Sequence, residues 1–151
     1  MAFMFKLSGV SMKRFCVIDG QGGGIGALLI KYLKETYGET VELIALGTNA
    51  IATAQMLKSG ANRGASGENA IVQTVRTADL ILGPIAITWA NAMLGEVTAK
   101  TAAAITSSPA PKILLPLSQE EVILAGVVPE PLPHMVERIV NETVKEVLPD
   151  V

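Results

Sequence analysis

Five glycines fall within the seven residues from Gly20 to Gly26, directly after an apolar run. Glycine loses more conformational freedom on folding than any other residue, so such a cluster needs a structural or functional reason. The preceding segment, RFCVID, predicts a buried strand that ends at Asp19, and the following segment, IGALLIKYLKETYG, has apolar residues at helical spacing. A strand, a glycine loop and a helix in this order favour an α/β fold whose backbone approaches a ligand at the loop.

The rest of the chain continues to alternate between strand and helix patterns. Further strands are predicted at 40–46, 79–84 and 112–117, and helices at 50–60, 68–78, 89–105 and 135–147. The segment GANRGASGEN at 60–69 is small and polar, which indicates a loop. This alternation predicts a three-layer, Rossmann-like α/β sandwich with helices on both faces of a largely parallel sheet.

The end of the sheet departs from this alternation. A fifth strand, VILAGVV at 122–128, follows 112–117 after only the four residues SQEE. A parallel crossover needs about a dozen residues, so these two segments are expected to form a hairpin. The expected sheet therefore has five mostly parallel strands in the order 3-2-1-4-5, with an antiparallel fifth strand at its edge. We assign residues 14–151 to this single domain, after an N-terminal extension at 1–13.

Composition excludes several classes of protein. The 151 residues carry a formal charge of −2 and a single cysteine, Cys16. We therefore expect no nucleic-acid partner, no membrane partner, no metal site and a cytoplasmic location. Half of the residues are apolar, and the predicted helix 89–105 is rich in alanine. These features favour a homo-oligomer, because exposed apolar faces serve subunit contacts.

The glycine loop is the predicted binding site. Its backbone amides and the positive end of the following helix dipole favour a phosphate group. The residues assigned to this site are Gly20, Gln21, Gly22, Gly23, Gly24 and Ile25. The alternative is a tight strand-to-helix turn that binds nothing, in a chain that serves as an oligomeric scaffold.

Three side chains beyond the loop are candidates for the same ligand. Thr48 and Asn49 follow the second strand, where they either contact a ribose or cap the next helix. Arg63 lies in the 60–69 segment and is either a phosphate partner or a solvated residue.

Charged residues near the loop leave a catalytic alternative open. Asp19 would either brace the loop by accepting its amides or work on a cation or substrate. A small enzyme acting on a phosphorylated metabolite would use Asp19, Asn49 or His134, the only histidine. Glu96 is expected on the solvent side of the helix at 89–105. No complete acid–base set is recognisable, so the catalytic residues remain unassigned.

The loop also resembles a known cofactor motif. Gly20, Gly24 and Gly26 fit the pattern G-x-x-x-G-x-G, which is similar to the fingerprint of short-chain dehydrogenases and reductases. The resemblance implies NAD(P) or another nucleotide as the ligand. That family's catalytic Tyr-x-x-x-Lys is absent, because Thr36 stands four residues after Tyr32 and Val41 four residues after Tyr37.

A second resemblance extends over most of the chain. The segments DGQGGGIG, ALGTNAIATAQMLKSGANRGASGENAI, TADLILGP, LGEVT and KILLPL occur in this order. Together they resemble a family of short bacterial proteins of unknown function. The resemblance implies a compact Rossmann-like domain and assigns no activity or binding residue.

Overall fold

The computed structural model describes residues 12–151, so nearly all of the predicted N-terminal extension lies outside the described residues. The strands are β1 (Lys13–Asp19), β2 (Val41–Gly47), β3 (Arg63–Ser66), β4 (Leu80–Pro84) and β5 (Lys112–Leu115). The helices are α1 (Gly24–Tyr37), α2 (Ala50–Lys58), α3 (Glu68–Thr74), α4 (Ala99–Ser107), α5 (Leu132–Arg138) and α6 (Val144–Val147). A π-helical turn at Ile139–Thr143 joins α5 to α6.

The strands form one sheet in the order β3-β2-β1-β4-β5. All four strand pairs are parallel, and Val17 in β1 lies opposite Ala45 in β2 and Leu82 in β4. The α/β fold and the order 3-2-1-4-5 are therefore confirmed. The chain moves outward from β1 in both directions, so the topological switch point lies between the carboxyl ends of β1 and β4.

The core lies on both faces of the sheet. Phe15 and Val17 pack on one face with Leu29 and Leu33 of α1, whereas Cys16 packs on the other face. Alternate residues of β1 are thus buried on opposite sides, as expected for a parallel strand that helices cover on both faces. Burial raises the pKa of the Cys16 thiol to about 12, so this cysteine is an inert core residue.

The predicted antiparallel edge strand is wrong. Residues 122–128 form no strand, and β5 is the edge of the all-parallel sheet on this side. Gly126 has a φ of 83°, and prolines stand at 129, 131 and 133. A left-handed residue and nearby prolines both interrupt a strand, so apolar composition alone does not produce one here.

The third strand also differs from the prediction. Arg63–Ser66, which the sequence assigned to a loop, forms β3 beside β2, with Ala65 opposite Leu46. The segment predicted as the third strand is β4 instead, and it pairs with β1. All four residues of β3 are exposed, so the strand lacks the apolar pattern by which strands are recognised.

The long helix predicted at 89–105 is shorter in the structure. It begins at Ala99, where the hydroxyl of Thr98 accepts a hydrogen bond from the Thr101 amide at 3.1 Å. Turns occupy residues 89–97, and Asn91, Met93, Leu94 and Gly95 have positive φ angles. A right-handed helix cannot contain such residues, so the 89–97 segment folds as a separate set of turns.

None of the helices described over residues 12–151 has both the length and the apolar character that crossing a membrane requires.

Candidate functional site

Asp19, at the end of β1, braces the glycine loop. Its Oδ1 accepts the amide of Gly20 and its Oδ2 accepts the amide of Gly26, each at 2.8 Å. Burial raises the pKa of Asp19 above its ordinary value, although the hydrogen bonds from these amides oppose the rise. Of the two roles considered for Asp19, this geometry fits the bracing role.

The glycines of the loop fall into two groups. At Gly20, Gly23 and Gly26 an added Cβ would collide with neighbouring atoms, and Gly23 also has a φ of 73°. At Gly22 and Gly24 an added Cβ would meet nothing within 4 Å, and neither residue has a positive φ. Among the described glycines, only these two are required neither by space nor by backbone conformation.

Gly22 and Gly24 also carry free amides. Within residues 12–151, neither N–H group donates a hydrogen bond to the protein. The amide of Gly23, by contrast, donates to the carbonyl of Gly20 at 2.9 Å. Gly24 is the first residue of α1, and no side chain caps this helix. The loop therefore presents two unpaired donors beside the positive end of a fourteen-residue helix dipole.

Glu96 covers the side of the loop that faces β2. Its Oε1 accepts the amide of Gln21 at 2.8 Å, and the same oxygen accepts the hydroxyl of Thr48 at 2.7 Å. The side-chain amide of Asn49 donates to this oxygen as well, at 2.8 Å. Partial burial by itself would raise the pKa of Glu96, but these hydrogen bonds hold the pKa below its ordinary value. One of the loop amides, that of Gln21, therefore already donates its hydrogen bond to a charged carboxylate of the protein.

A cleft opens on the other side of the loop, at the switch point. It has a volume of about 290 Å³. Its floor is formed by residues 19–25, and its walls are formed by Pro84, Ala86, Met93, Leu117, Ser118, Gln119 and Glu120. The free amides thus stand at one end of a mostly apolar cleft, which is the usual composition of a small-molecule site.

The structure brings the predicted loop residues together but separates the other candidates. All six loop residues line the cleft, whereas Thr48 and Asn49 face Glu96. Asn49 also caps α2, because its Oδ1 accepts the amide of Ala52 at 2.9 Å. Arg63 lies on β3 and pairs with Glu42 at 3.0 Å.

His134 pairs with an acidic residue outside the loop. It lies on α5, and its Nδ1 is 3.1 Å from a carboxylate oxygen of Glu130. The cleft is lined by Asp19 but not by His134 or Asn49. The three residues considered for catalysis therefore do not share one cavity.

The sequence did not predict the role of Glu96, because a continuous helix would have turned it toward solvent. The structure instead places it in the turns of the 89–97 segment, where it accepts the Gln21 amide, while Met93 of the same segment lines the cleft together with Glu120. Glu120 supports this arrangement by accepting the amide of Met93 at 3.0 Å. The one available signal was Gly95, since a glycine inside a helical pattern lowers the expectation of an unbroken helix.

The NAD(P) prediction is not supported. In a dinucleotide fold, the residue that binds the adenine ribose follows the second strand. Here Thr48 and Asn49, which follow β2, are both bonded to Glu96. The sulfur of Met93 also packs beside Gly20, at 2.6 Å from an added Cβ. The side chains at the position of a ribose-binding residue are thus engaged by the protein itself.

Comparisons with known proteins give two matches of different kinds. No curated protein sequence matches the chain. A solved structure titled "Crystal structure of universal stress protein in complex with cAMP" matches with 18% identity and a TM-score of 0.41. The match covers 70% of this chain and 98% of that chain. At this level of similarity, it carries no conclusion about the ligand of this chain.

The family comparison covers nearly all of the described residues. The model described as "Domain of unknown function (DUF3842)" matches residues 14–148, which include the glycine loop, Glu96 and every strand residue except Lys13. The resemblance to a family of uncharacterised Rossmann-like proteins is thereby confirmed. The chain belongs to the DUF3842 family.

Proposed function

We propose that this protein binds a nucleotide in the cleft at the switch point, with a phosphate group on the amides of Gly22 and Gly24. The observation that carries the proposal is that the fold itself does not require glycine at either position. Both residues leave an unpaired N–H beside the start of α1. A phosphate oxygen that approaches these amides needs the space that a Cβ would take, which explains both glycines.

The walls of the cleft suit the remainder of a nucleotide. Pro84, Ala86, Met93 and Leu117 offer apolar surface for a base, and Ser118 and Gln119 offer polar groups for a sugar. The volume of about 290 Å³ is at the lower end of the range for small-molecule sites. A mononucleotide therefore fits this cleft better than a dinucleotide.

The acidic residues around the loop are compatible with an anionic ligand. Asp19 accepts backbone amides with both of its oxygens, and Glu96 accepts hydrogen bonds from Gln21, Thr48 and Asn49. Glu120, on the wall of the cleft, accepts the amide of Met93, and none of these three carboxylates accepts the amide of Gly22 or Gly24. The Gly22 and Gly24 amides remain available to the ligand.

The proposal is tested by titrating the full chain with AMP, GMP, CMP and UMP while recording amide resonances. We expect the largest shifts at Gly22 and Gly24 for at least one of the four nucleotides. Gly24→Ala should weaken binding tenfold or more, because its methyl group covers the phosphate position. Thr36→Ala, at the exposed far end of α1, serves as the control and should leave binding unchanged.

Two results would contradict the proposal. If none of the four nucleotides shifts Gly22 or Gly24, the loop is a turn without a ligand, and the oligomeric scaffold becomes the better hypothesis. If a nucleotide binds wild type and Gly24→Ala equally well, the ligand lies elsewhere. Hydrolysis or transfer of the bound phosphate would instead favour the small enzyme.

A further inference from the structure

The loop offers fewer donors to a ligand than its length suggests. Gly20 and Gly26 donate to Asp19, and Gln21 donates to Glu96. In dinucleotide-binding folds, the pyrophosphate lies against the glycine loop and the start of its helix. Here a side-chain carboxylate already occupies the Gln21 amide, next in the chain to the free amide of Gly22.

Glu96 is held firmly in this position. Gln21 contributes its side-chain amide as well, at 3.2 Å from the carbonyl of Met93 and 3.4 Å from Glu96 Oε2. The 89–97 segment is cross-linked by its own hydrogen bonds, including Asn91 N to Val97 O at 2.6 Å and Val97 N to Ala92 O at 3.1 Å. A ligand that displaced Glu96 would break several of these contacts together.

We propose that Glu96 determines specificity at this site by barring a second phosphate group from the Gln21 end of the loop, so that ligands with a single phosphate group are preferred. The inference rests on the proposed function. One phosphate reaches the amides of Gly22 and Gly24, whereas a second phosphate that continued along the loop to Gln21 would meet the Glu96 carboxylate, which already accepts that amide at 2.8 Å. Like charges repel at close range, and Glu96 is half-buried, so a diphosphate group on the loop is disfavoured.

The experiment compares inorganic phosphate with inorganic pyrophosphate, which makes it independent of the base. Both are titrated into the full chain with EDTA present, since a bound divalent cation would mask the second phosphate. Binding is followed at the amide resonances of Gly22 and Gly24. The wild type should bind phosphate at least tenfold more tightly than pyrophosphate.

Glu96→Gln removes the charge and keeps an oxygen that accepts hydrogen bonds. This variant should reduce the preference for phosphate by tenfold or more, mainly by gaining pyrophosphate affinity. Glu35→Gln is the matched control, because it removes the same charge from an exposed residue of α1 about 16 Å from Gly24. The control should retain the wild-type preference.

The outcomes separate this inference from the proposed function. If both anions shift Gly22 and Gly24 but Glu96→Gln keeps the wild-type preference, the specificity role is wrong and the binding site stands. If neither anion shifts these amides in the wild type, both proposals fall. If Glu96→Gln does not fold, the test depends on the wild-type preference for phosphate over pyrophosphate. Equal affinities of the wild type for the two anions would then overturn the inference.

Discussion

At the scale of single residues, the loop shows that neighbouring glycines serve different purposes. Gly26 is needed because an added Cβ would lie 2.9 Å from Cβ of Asp19 and 2.5 Å from the sulfur of buried Met56. Gly24, two residues earlier, faces open space. The fold therefore explains Gly26, and the proposed ligand explains Gly24.

This difference predicts opposite effects of the same substitution. Gly24→Ala should stabilise the unliganded protein by about 0.5–1 kcal/mol, because alanine restricts the unfolded chain without strain in the folded one. Gly26→Ala should destabilise it by about 1–3 kcal/mol, because a packed site must move. Urea unfolding of both variants measures the two values. If the two substitutions changed the free energy of unfolding in the same direction, the loop would pack differently from this description.

The two loop carboxylates respond to pH in opposite directions. The pKa of Glu96 is lowered on folding, so its contribution to stability is present above its ordinary value near 4.5 and is lost as pH falls below that value. The pKa of Asp19 is raised, so its ionisation opposes folding as pH rises through its own range.

Removing the Glu96 carboxylate should therefore have an effect that depends on pH. We expect Glu96→Gln to lower the free energy of unfolding by about 1–2 kcal/mol at neutral pH, because hydrogen bonds to a charged acceptor are lost. The difference from wild type should shrink below pH 4.5, where Glu96 itself becomes protonated in the unfolded chain. Unfolding curves at pH 7 and pH 3.5 make the comparison. A difference that is independent of pH would rule out a charged Glu96 in the folded protein.

At the scale of elements, Asn49 connects α2 to the loop. Its Oδ1 caps the helix, while its Nδ2 donates to the carbonyl of Gln21 at 3.0 Å and to Glu96 at 2.8 Å. The same side chain thus satisfies the start of one element and positions the segment before another. Helix capping was predictable from the sequence, but the contacts of the amide nitrogen depend on the 89–97 turns.

Asn49→Asp separates these two roles. Aspartate caps a helix as well as asparagine does, but it would place a second carboxylate beside Glu96. We expect a loss of about 1–3 kcal/mol at pH 7, part of which returns near pH 4 as one carboxylate takes up a proton. Asn49→Ser, which keeps a capping oxygen and adds no charge, is the control and should lose less. A stability equal to that of the serine variant would contradict the contact with Glu96.

At the scale of the whole molecule, we expect backbone amides to be protected from hydrogen exchange to very different degrees. β1 lies between β2 and β4 and is buried on both faces. The 116–131 segment that follows β5 contains no helix or strand, and the side chains of Ile123 and Val128 are 95% and 80% exposed. The centre and this margin of the domain should therefore open with very different free energies.

Hydrogen exchange tests this expectation directly. Amides of residues 15–18 should exchange most slowly, and amides of residues 118–128 should exchange within the fast phase, because few of them donate to the backbone. Protection of 118–128 that increases with protein concentration would indicate contacts between copies. The homo-oligomer stays a prediction, and light scattering on the same samples measures the mass.

The sequence by itself determined the features that depend on local pattern. The buried strand of residues 14–19, the glycine turn and the helix after it follow from apolar spacing and from the backbone freedom of glycine. The order 3-2-1-4-5 follows from the handedness of crossovers, although the segment predicted as the third strand is β4 and pairs with β1. The loop as the candidate site could therefore be inferred from the sequence alone.

Only the tertiary structure decided which loop amides are free. The 89–97 segment leaves the predicted helical path, which the sequence signals only through Gly95, and nothing in the sequence indicates that Glu96 then reaches Gln21. The partners of a backbone amide are set by chain segments far apart in sequence, here 75 residues. Local periodicity carries no information about such contacts, because they exist only after the sheet has brought the segments together.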